Sequence, residues 1–313
     1  MSQKPGEEGV KKKKPKKKFR LSTLIFALIF LIGLGILTYP IISNQWNNYR
    51  QSRLISNYEQ AVSQMTEEDF TQAWEDARAY NATFDENHLL GDVFDGENKK
   101  DLTNSEYWKV LNITGDGIMG YITIPKIAVK LGIYHGTDEE VLQTGVGHLY
   151  GTKLPIGGEA NHSVLSAHRG LPSAKLFTDI DQMVEGDQFY LTILDDILAY
   201  QVDQILPMVD KDDHEALETA LAIDPAQDYV TLFTCTPYGV NSHRLLVRGH
   251  RVPYNGELDG TPVDSMVQAI RSYYMLYLLM GLGITVLGIL ASKYLLPKLR
   301  KRKGTSGSKE GTN

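Results

Sequence analysis

The stretch Tyr229 to Arg251, YVTLFTCTPYGVNSHRLLVRGHR, reads as two strands joined by a turn. Val230-Thr231-Leu232-Phe233-Thr234 is the first apolar run, and Leu245-Leu246-Val247-Arg248 belongs to the second. Working back towards Gly120, the same texture recurs. Tyr121 to Pro125, Ala128 to Leu131, His162 to Ser166, Gln188 to Ile193 and Ile197 to Val202 are short apolar or alternating runs, punctuated by Gly, Pro and Asp. Seven or more short strands in one domain predict a closed antiparallel barrel or a sandwich. Two short helices are expected, near Lys175 to Gln182 and Asp212 to Ala222. There are no internal repeats, no glycine-rich phosphate loop and no Cys/His cluster with zinc spacing.

Within the opening stretch lies Cys235, the only cysteine of the 313 residues. A lone thiol cannot close an internal disulfide, so it is either a nucleophile or a buried core residue. Thiol status by itself favours burial. A nucleophilic thiol needs a base or a cationic neighbour to become thiolate. Of eight histidines, His168 stands out, because Val164-Leu165-Ser166-Ala167 leads to it as a strand and Arg169-Gly170-Leu171-Pro172 turns the chain after it. His135 and His148 are rivals, with structural roles at turns as their alternative. His88 and His214 fall in polar or helical surface segments. A turn through Pro237-Tyr238-Gly239 brings Arg244 back beside Cys235 if the two strands pair. There a guanidinium can stabilise an oxyanion or hold a substrate backbone; the alternative is a surface arginine.

The ends of the chain set the location. Leu21 to Ile42 is an apolar run of about the ~20 residues a membrane-spanning helix needs, preceded by KKKKPKKKFR and followed by no small-x-small cleavage site. It reads as an uncleaved signal anchor. A second apolar run, Tyr273 to Pro297, is closed by KLRKRK. Basic blocks outside both runs put both termini in the cytoplasm and the intervening segment outside. Residues 44–272 hold 16 of the 32 Lys and Arg but 35 of the 38 Asp and Glu, a formal charge of −19. So acidic a segment argues against nucleic-acid binding.

The expected organisation is a basic tail (1–20), a transmembrane anchor (21–43), a helical stalk (44–86), a loop region (87–116), a catalytic β-domain (117–254), a linker (255–272), a second span (273–297) and a second basic tail (298–313). In the stalk, Leu54, Ile55, Tyr58, Ala61, Val62 and Met65 follow helical spacing. Thr66 is the expected N-cap of a second helix opening on Glu67-Glu68-Asp69.

Taken together, these residues resemble a known family. TLFTCTPYGVNSHRLLVRG resembles the catalytic segment of sortases, the cysteine transpeptidases of Gram-positive cell surfaces, and LSAHRGLP resembles the segment carrying their histidine. The resemblance runs from about Asn44 to Tyr254 and takes in GYITIPKI, IYHGTDEEVLQTGVGHLYGT and FTDIDQMVEGDQFY. It is strongest to class C, the pilin-polymerising sortases. It implies an eight-stranded sortase-type β-barrel with N-terminal helices and two flanking transmembrane helices. It further implies Cys235 as nucleophile, His168 as general acid/base, Arg244 as the residue that positions substrate and steadies the oxyanion, and Thr234 as part of the substrate groove. The implied partners are pilin subunits bearing LPXTG-like sorting signals, and no metal or organic cofactor is called for. An alternative within the family is a sortase that anchors surface proteins to peptidoglycan; one outside it is a non-catalytic membrane-tethered adhesin or scaffold with Cys235 buried. Two spans bracketing the domain favour the pilus reading, since anchoring sortases usually show only the N-terminal one.

Class C sortases also carry a lid with an Asp-Pro-aromatic motif. Here the matching position reads Asp92-Val93-Phe94, with valine in place of proline. The resemblance implies that Asp92 faces the arginine and Phe94 covers the thiol. Without proline the backbone there is less restricted and regains an N–H donor. Asp92→Ala combined with Phe94→Ala is therefore expected to speed alkylation of Cys235, followed by intact-mass spectrometry; an unchanged rate would count against a lid.

Overall fold

The computed structural model describes residues 21–84 and 105–256, together with helical positions at 281–283, 285 and 288. Asp92 and Phe94 lie outside the described residues, as does most of the second apolar run. Eight strands close a barrel: β1 (Ile118–Ile124), β2 (Val129–His135), β3 (Val146–His148), β4 (Asn161–Ser166), β5 (Gln188–Ile193), β6 (Asp196–Asp210), β7 (Asp228–Thr236) and β8 (His243–Val252). Around the barrel their order is β1-β2-β3-β4-β7-β8-β6-β5, with β1 pairing β5 to close it. Within residues 21–256 the described α-helices are α1 (Leu21–Val62), α2 (Glu67–Asn81), α3 (Glu106–Lys109), α4 (Glu139–Leu142) and α5 (His214–Ala220).

The barrel is mixed rather than wholly antiparallel. β2 pairs with β3 in parallel, and β4 pairs with β7 in parallel. Each parallel pair requires a crossover: α4 lies between β2 and β3, and the β5–β6 hairpin and α5 lie between β4 and β7. The dense turn signals suggested hairpins throughout, and they cannot distinguish a hairpin from a crossover. β3 escaped notice because it is only three residues long, with glycine at its centre. The helix expected near Lys175 to Gln182 is a single 3₁₀ turn, Ile180–Gln182, whereas the one near Asp212 to Ala222 is present as α5.

One apolar core fills the barrel, including Met119, Ile122, Leu165, Phe189, Leu191, Leu232 and Val247. A smaller cluster of Val164, Phe233, Leu246, Leu217 and Leu221 packs α5 onto the outside of β4, β7 and β8. Both faces of β4 are therefore buried, as its burial along all six residues records.

α1 differs in its two parts. Its apolar beginning has many exposed side chains, among them Ile25, Leu31, Ile36, Leu37 and Ile42, and among the described residues it is the one helix long and apolar enough to cross a membrane. Its later turns are docked on the barrel, not held off it as a stalk. Ile55, Tyr58 and Val62 are buried, the latter two against Ile118. Gln51 accepts from Gly132 N (2.8 Å) and donates to Thr144 O (2.6 Å). The apolar stripe read in the sequence is thus the buried face of a helix laid along β1 and β2. α2 begins with the expected cap: Thr66 and Asp69 form a reciprocal capping box. It ends with Asn81 bonded to both the N–H and C=O of Leu154.

Tyr58 makes the sharpest tie between α1 and the barrel. Its hydroxyl donates to Met119 O (3.1 Å) and accepts from Leu194 N (2.8 Å), all buried. Tyr58→Phe leaves both backbone groups without that partner, at about 1–3 kcal/mol. A denaturant titration should show a lowered midpoint of that size, with little change in slope.

Candidate active site

The β7–β8 hairpin sets the first pair. Its register puts Cys235 opposite Arg244, between the pairs Thr234 with Leu245 and Thr236 with His243. The connecting loop is a tight turn in which the N–H groups of Val240 and Asn241 both bond to Pro237 O at 3.0 Å. Gly239 and Asn241 take the positive φ the turn requires. The expected neighbour relation between the cysteine and the arginine is therefore present, and Arg244 is not a surface residue. It is 2% exposed and Cys235 is 4% exposed.

β4 brings the histidine from the other side. Its parallel ladder with β7 ends at Ser166 beside Phe233, but the chain keeps following β7. Ala167 N donates to Phe233 O (3.3 Å) and the Thr234 hydroxyl donates to Ala167 O (2.7 Å). Continuing the register puts His168 level with Cys235. Three neighbouring strands, β4, β7 and β8, thus present His168, Cys235 and Arg244 at one end of the barrel. Thr234 has no exposed surface, and its hydroxyl holds the β4 extension in place.

His168 is half-buried, and its Nε2 lies 3.4 Å from Glu139 Oε2 at the start of α4. The next residue, Arg169, is a second tie. Its guanidinium donates to Thr178 O (3.1 Å), Thr236 Oγ1 (3.2 Å) and Asp181. Arg169 therefore links the turn after His168 to the residue after Cys235. Neither Glu139 nor Arg169 was singled out from the sequence. Arg169 adjoins His168, but its partners are distant in sequence and become visible only once the chain is folded.

Arg244 Nη1 donates to the carbonyls of Asn241 and His243, both at 2.9 Å. These bonds hold the guanidinium across the base of the turn. Burial pulls its pKa down to about 10, so it is still a cation at neutral pH. Such a cation beside Cys235 favours negative charge on the sulfur or on an oxygen near it.

The rival histidines His135 and His148 are structural, and so is His162. The ring nitrogens of His135 face the Gly117 and Val110 carbonyls at 2.9 and 2.8 Å. His148 Nε2 donates to Lys153 O (2.9 Å), and Tyr107 Oη donates to its Nδ1 (2.8 Å). His162 Nδ1 donates to Ala222 O, and the Thr231 hydroxyl donates to its Nε2, each at 2.8 Å. All three are buried. Among the described residues, no group of three or more His, Cys, Asp or Glu side chains could hold a metal ion.

Burial lowers the pKa of His148 to about 3 and of His162 to about 4, from an ordinary 6.5. Both rings are neutral when folded, while the unfolded chain takes up protons on them as pH drops below 6.5. Stability from these rings is then full above pH 6.5 and is lost as pH falls from there to about 4 for His162 and about 3 for His148. Denaturant titrations across that window should show the decline, and His162→Gln should make it shallower.

Comparison with known proteins agrees with this geometry. The Sortase domain family matches residues 122–252, from β1 to the end of β8. Sortase D of Bacillus subtilis is 31% identical over 136 residues, which are 42% of this chain and 63% of that protein. Sortase A of Bacillus anthracis is 28% identical over 135 residues, 43% of this chain and 60% of that protein. The chain thus spans less than two thirds of the length of either curated relative. Among solved structures, sortase C1 from Streptococcus agalactiae is 46% identical with a TM-score of 0.58, covering 65% of this chain and 100% of that one. Sortase C from Streptococcus pneumoniae, described with reference to pilin substrate specificity, is also 46% identical with a TM-score of 0.58. It covers 64% of this chain and 97% of that one.

Proposed function

This chain belongs to the sortase family, in its class C, and from that premise we propose that it is a membrane-anchored cysteine transpeptidase that polymerises pilins. The observation that carries the reading is the register that sets Arg244 opposite Cys235 and, continued two residues past the end of β4, brings His168 level with it. A scaffold protein with an incidental buried cysteine has no need to set a buried cation opposite it, because an arginine loses hydration there.

The substrate is a pilin with an LPXTG-like sorting signal. Cys235 attacks, as thiolate, the carbonyl carbon of the Thr–Gly bond, and the carbonyl electrons move onto oxygen. Arg244 stabilises that oxyanion and positions the peptide backbone. As the tetrahedral intermediate collapses, the C–N bond breaks and His168 gives its proton to the departing glycine amine. A thioacyl enzyme is left. A lysine amine of another pilin subunit then attacks the thioester carbonyl, and His168 takes the proton that amine loses. Expulsion of the Cys235 thiolate completes an isopeptide bond and restores the starting state. The catalytic domain lies outside the membrane, with α1 as its anchor, and Glu139 and Arg169 hold His168 in place.

Co-expression with a pilin bearing such a signal tests the reading. Cys235→Ala and His168→Ala should abolish the covalent pilin ladder on denaturing gels, and Arg244→Ala should slow its formation about 10²-fold or more. A ladder formed by the Cys235→Ala chain would rule out the thioacyl route. Loss of surface attachment without any ladder in the wild-type chain would point instead to a peptidoglycan acceptor.

A further inference from the structure

We infer that the rim of the active site rests on the membrane surface, with the loop after His168 and the loop after Cys235 forming a lipid-contacting face. The inference depends on α1 crossing the bilayer and not on the chemistry at Cys235. Leu21 to Ile42 is a helical run of about 33 Å at ~1.5 Å per residue, close to the ~30 Å of a hydrocarbon core. Tyr39, Trp46 and Tyr49 are exposed near its outer end, where Trp and Tyr gather at membrane–water interfaces. The boundary of the bilayer therefore falls close to residues 40–48 of α1.

That short segment is where the site loops are fastened. Ser43 Oγ donates to Ser173 O (2.7 Å), and Asn44 Oδ1 accepts from Lys175 N (2.8 Å). Ser43 and Asn44 are the first residues past the apolar run, so the loop from His168 is fixed at its outer edge. A cleft of about 510 Å³ opens at the same level between Pro40, Ile41 and Asn44 on one side and Pro172 and Tyr238 on the other. Tyr238 packs on Gly170, where a Cβ would come within 3.0 Å of its ring. This contact holds the loop that follows Cys235 at the same height as the loop that follows His168.

The composition of the two loops suits lipid. Tyr238 is 60% exposed, Val240 is 69% exposed, and Pro172 is also exposed. Residues 170–178, GLPSAKLFT, and 237–242, PYGVNS, contain no acidic residue and a single lysine. The rest of residues 44–272 is rich in Asp and Glu, with 35 acidic side chains in all. The two loops themselves carry no acid, the nearest being Asp179 at the edge of the cleft, where it pairs with Lys175, and exposed apolar side chains stand there instead. A peptide leaving the bilayer then meets Cys235 at the surface, without having to extend to a domain held above it.

Site-directed spin labelling of the full-length protein in phosphatidylcholine–phosphatidylglycerol nanodiscs tests the contact. Cys235→Ala removes the only native thiol, and single cysteines then go to Val240, Pro172, Ile36 within the span, and Glu159 at the opposite end of β4. Collision with oxygen, which partitions into lipid, is compared with collision with a water-soluble nickel chelate. An oxygen-to-nickel ratio at 240 and 172 severalfold above that at 159, and close to that at 36, supports the contact. Water-like ratios at 240 and 172 with a lipid-like ratio at 36 overturn it while leaving α1 in the membrane. A water-like ratio at 36 overturns the contact and the anchoring together.

Discussion

The parallel ladder between β4 and β7 is the constraint on which the site depends. From Asn161 beside Asp228 to Ser166 beside Phe233, six pairs run in register. The hydroxyl of Thr234 carries the alignment one residue further by bonding Ala167 O. A slip of one residue would turn every side chain of β4 to the other face. Leu165 would leave the barrel core, Val164 would leave the cluster under α5, and His168 would no longer be level with Cys235. Since both faces of β4 are buried, packing on each enforces the same register.

Around that ladder the site is built by crosslinks between loops rather than by any single element. The turn between β7 and β8 is tied by Arg244 to the carbonyls of Asn241 and His243. The turn after β4 is tied by Arg169 to Thr178, Asp181 and Thr236. One arginine thus faces the thiol, while the other joins the strand end bearing the histidine to the strand bearing the thiol. Glu139, brought in by the crossover between β2 and β3, reaches His168 from a third direction. The bonds of Arg244 to the turn carbonyls and of Arg169 to Thr178 and Thr236 are part-buried, where hydrogen bonds are stronger than in water and their loss is more costly.

Two regions of the chain that looked separate prove continuous. α1 enters as an apolar, outward-facing helix and leaves as the buried partner of β1 and β2, without a break at Pro40. The same helix therefore carries an apolar run long enough to cross a membrane, fastens the loop after His168 through Ser43 and Asn44, and anchors in the barrel wall through Tyr58. A stalk suggests independent movement of domain and anchor. A helix bonded to the barrel at several levels instead passes the anchor's orientation to the site.

Much of the molecule was legible in the sequence. Alternation and turn chemistry marked seven of the eight strands, the capping box of α2 was visible in Thr66 to Asp69, and the hairpin spacing brought Arg244 back to Cys235. Those features are local, and a local backbone preference or a short turn is enough to produce them. The family motif then singled out His168, which its own position left among rivals. Tertiary structure alone decided the parallel pairings, because turn signals do not reveal which strand fills the gap beside β7. It decided that His135, His148 and His162 are buried struts, since their partners lie 5 to 69 residues away. It also decided that Glu139 and Arg169 support the site, because their partners meet only when the barrel closes. The sequence by itself determined the hairpin that pairs Arg244 with Cys235, because a short turn is enough to set it; only the pairing of β4 with β7, between segments far apart in the chain, determined that His168 lies level with Cys235.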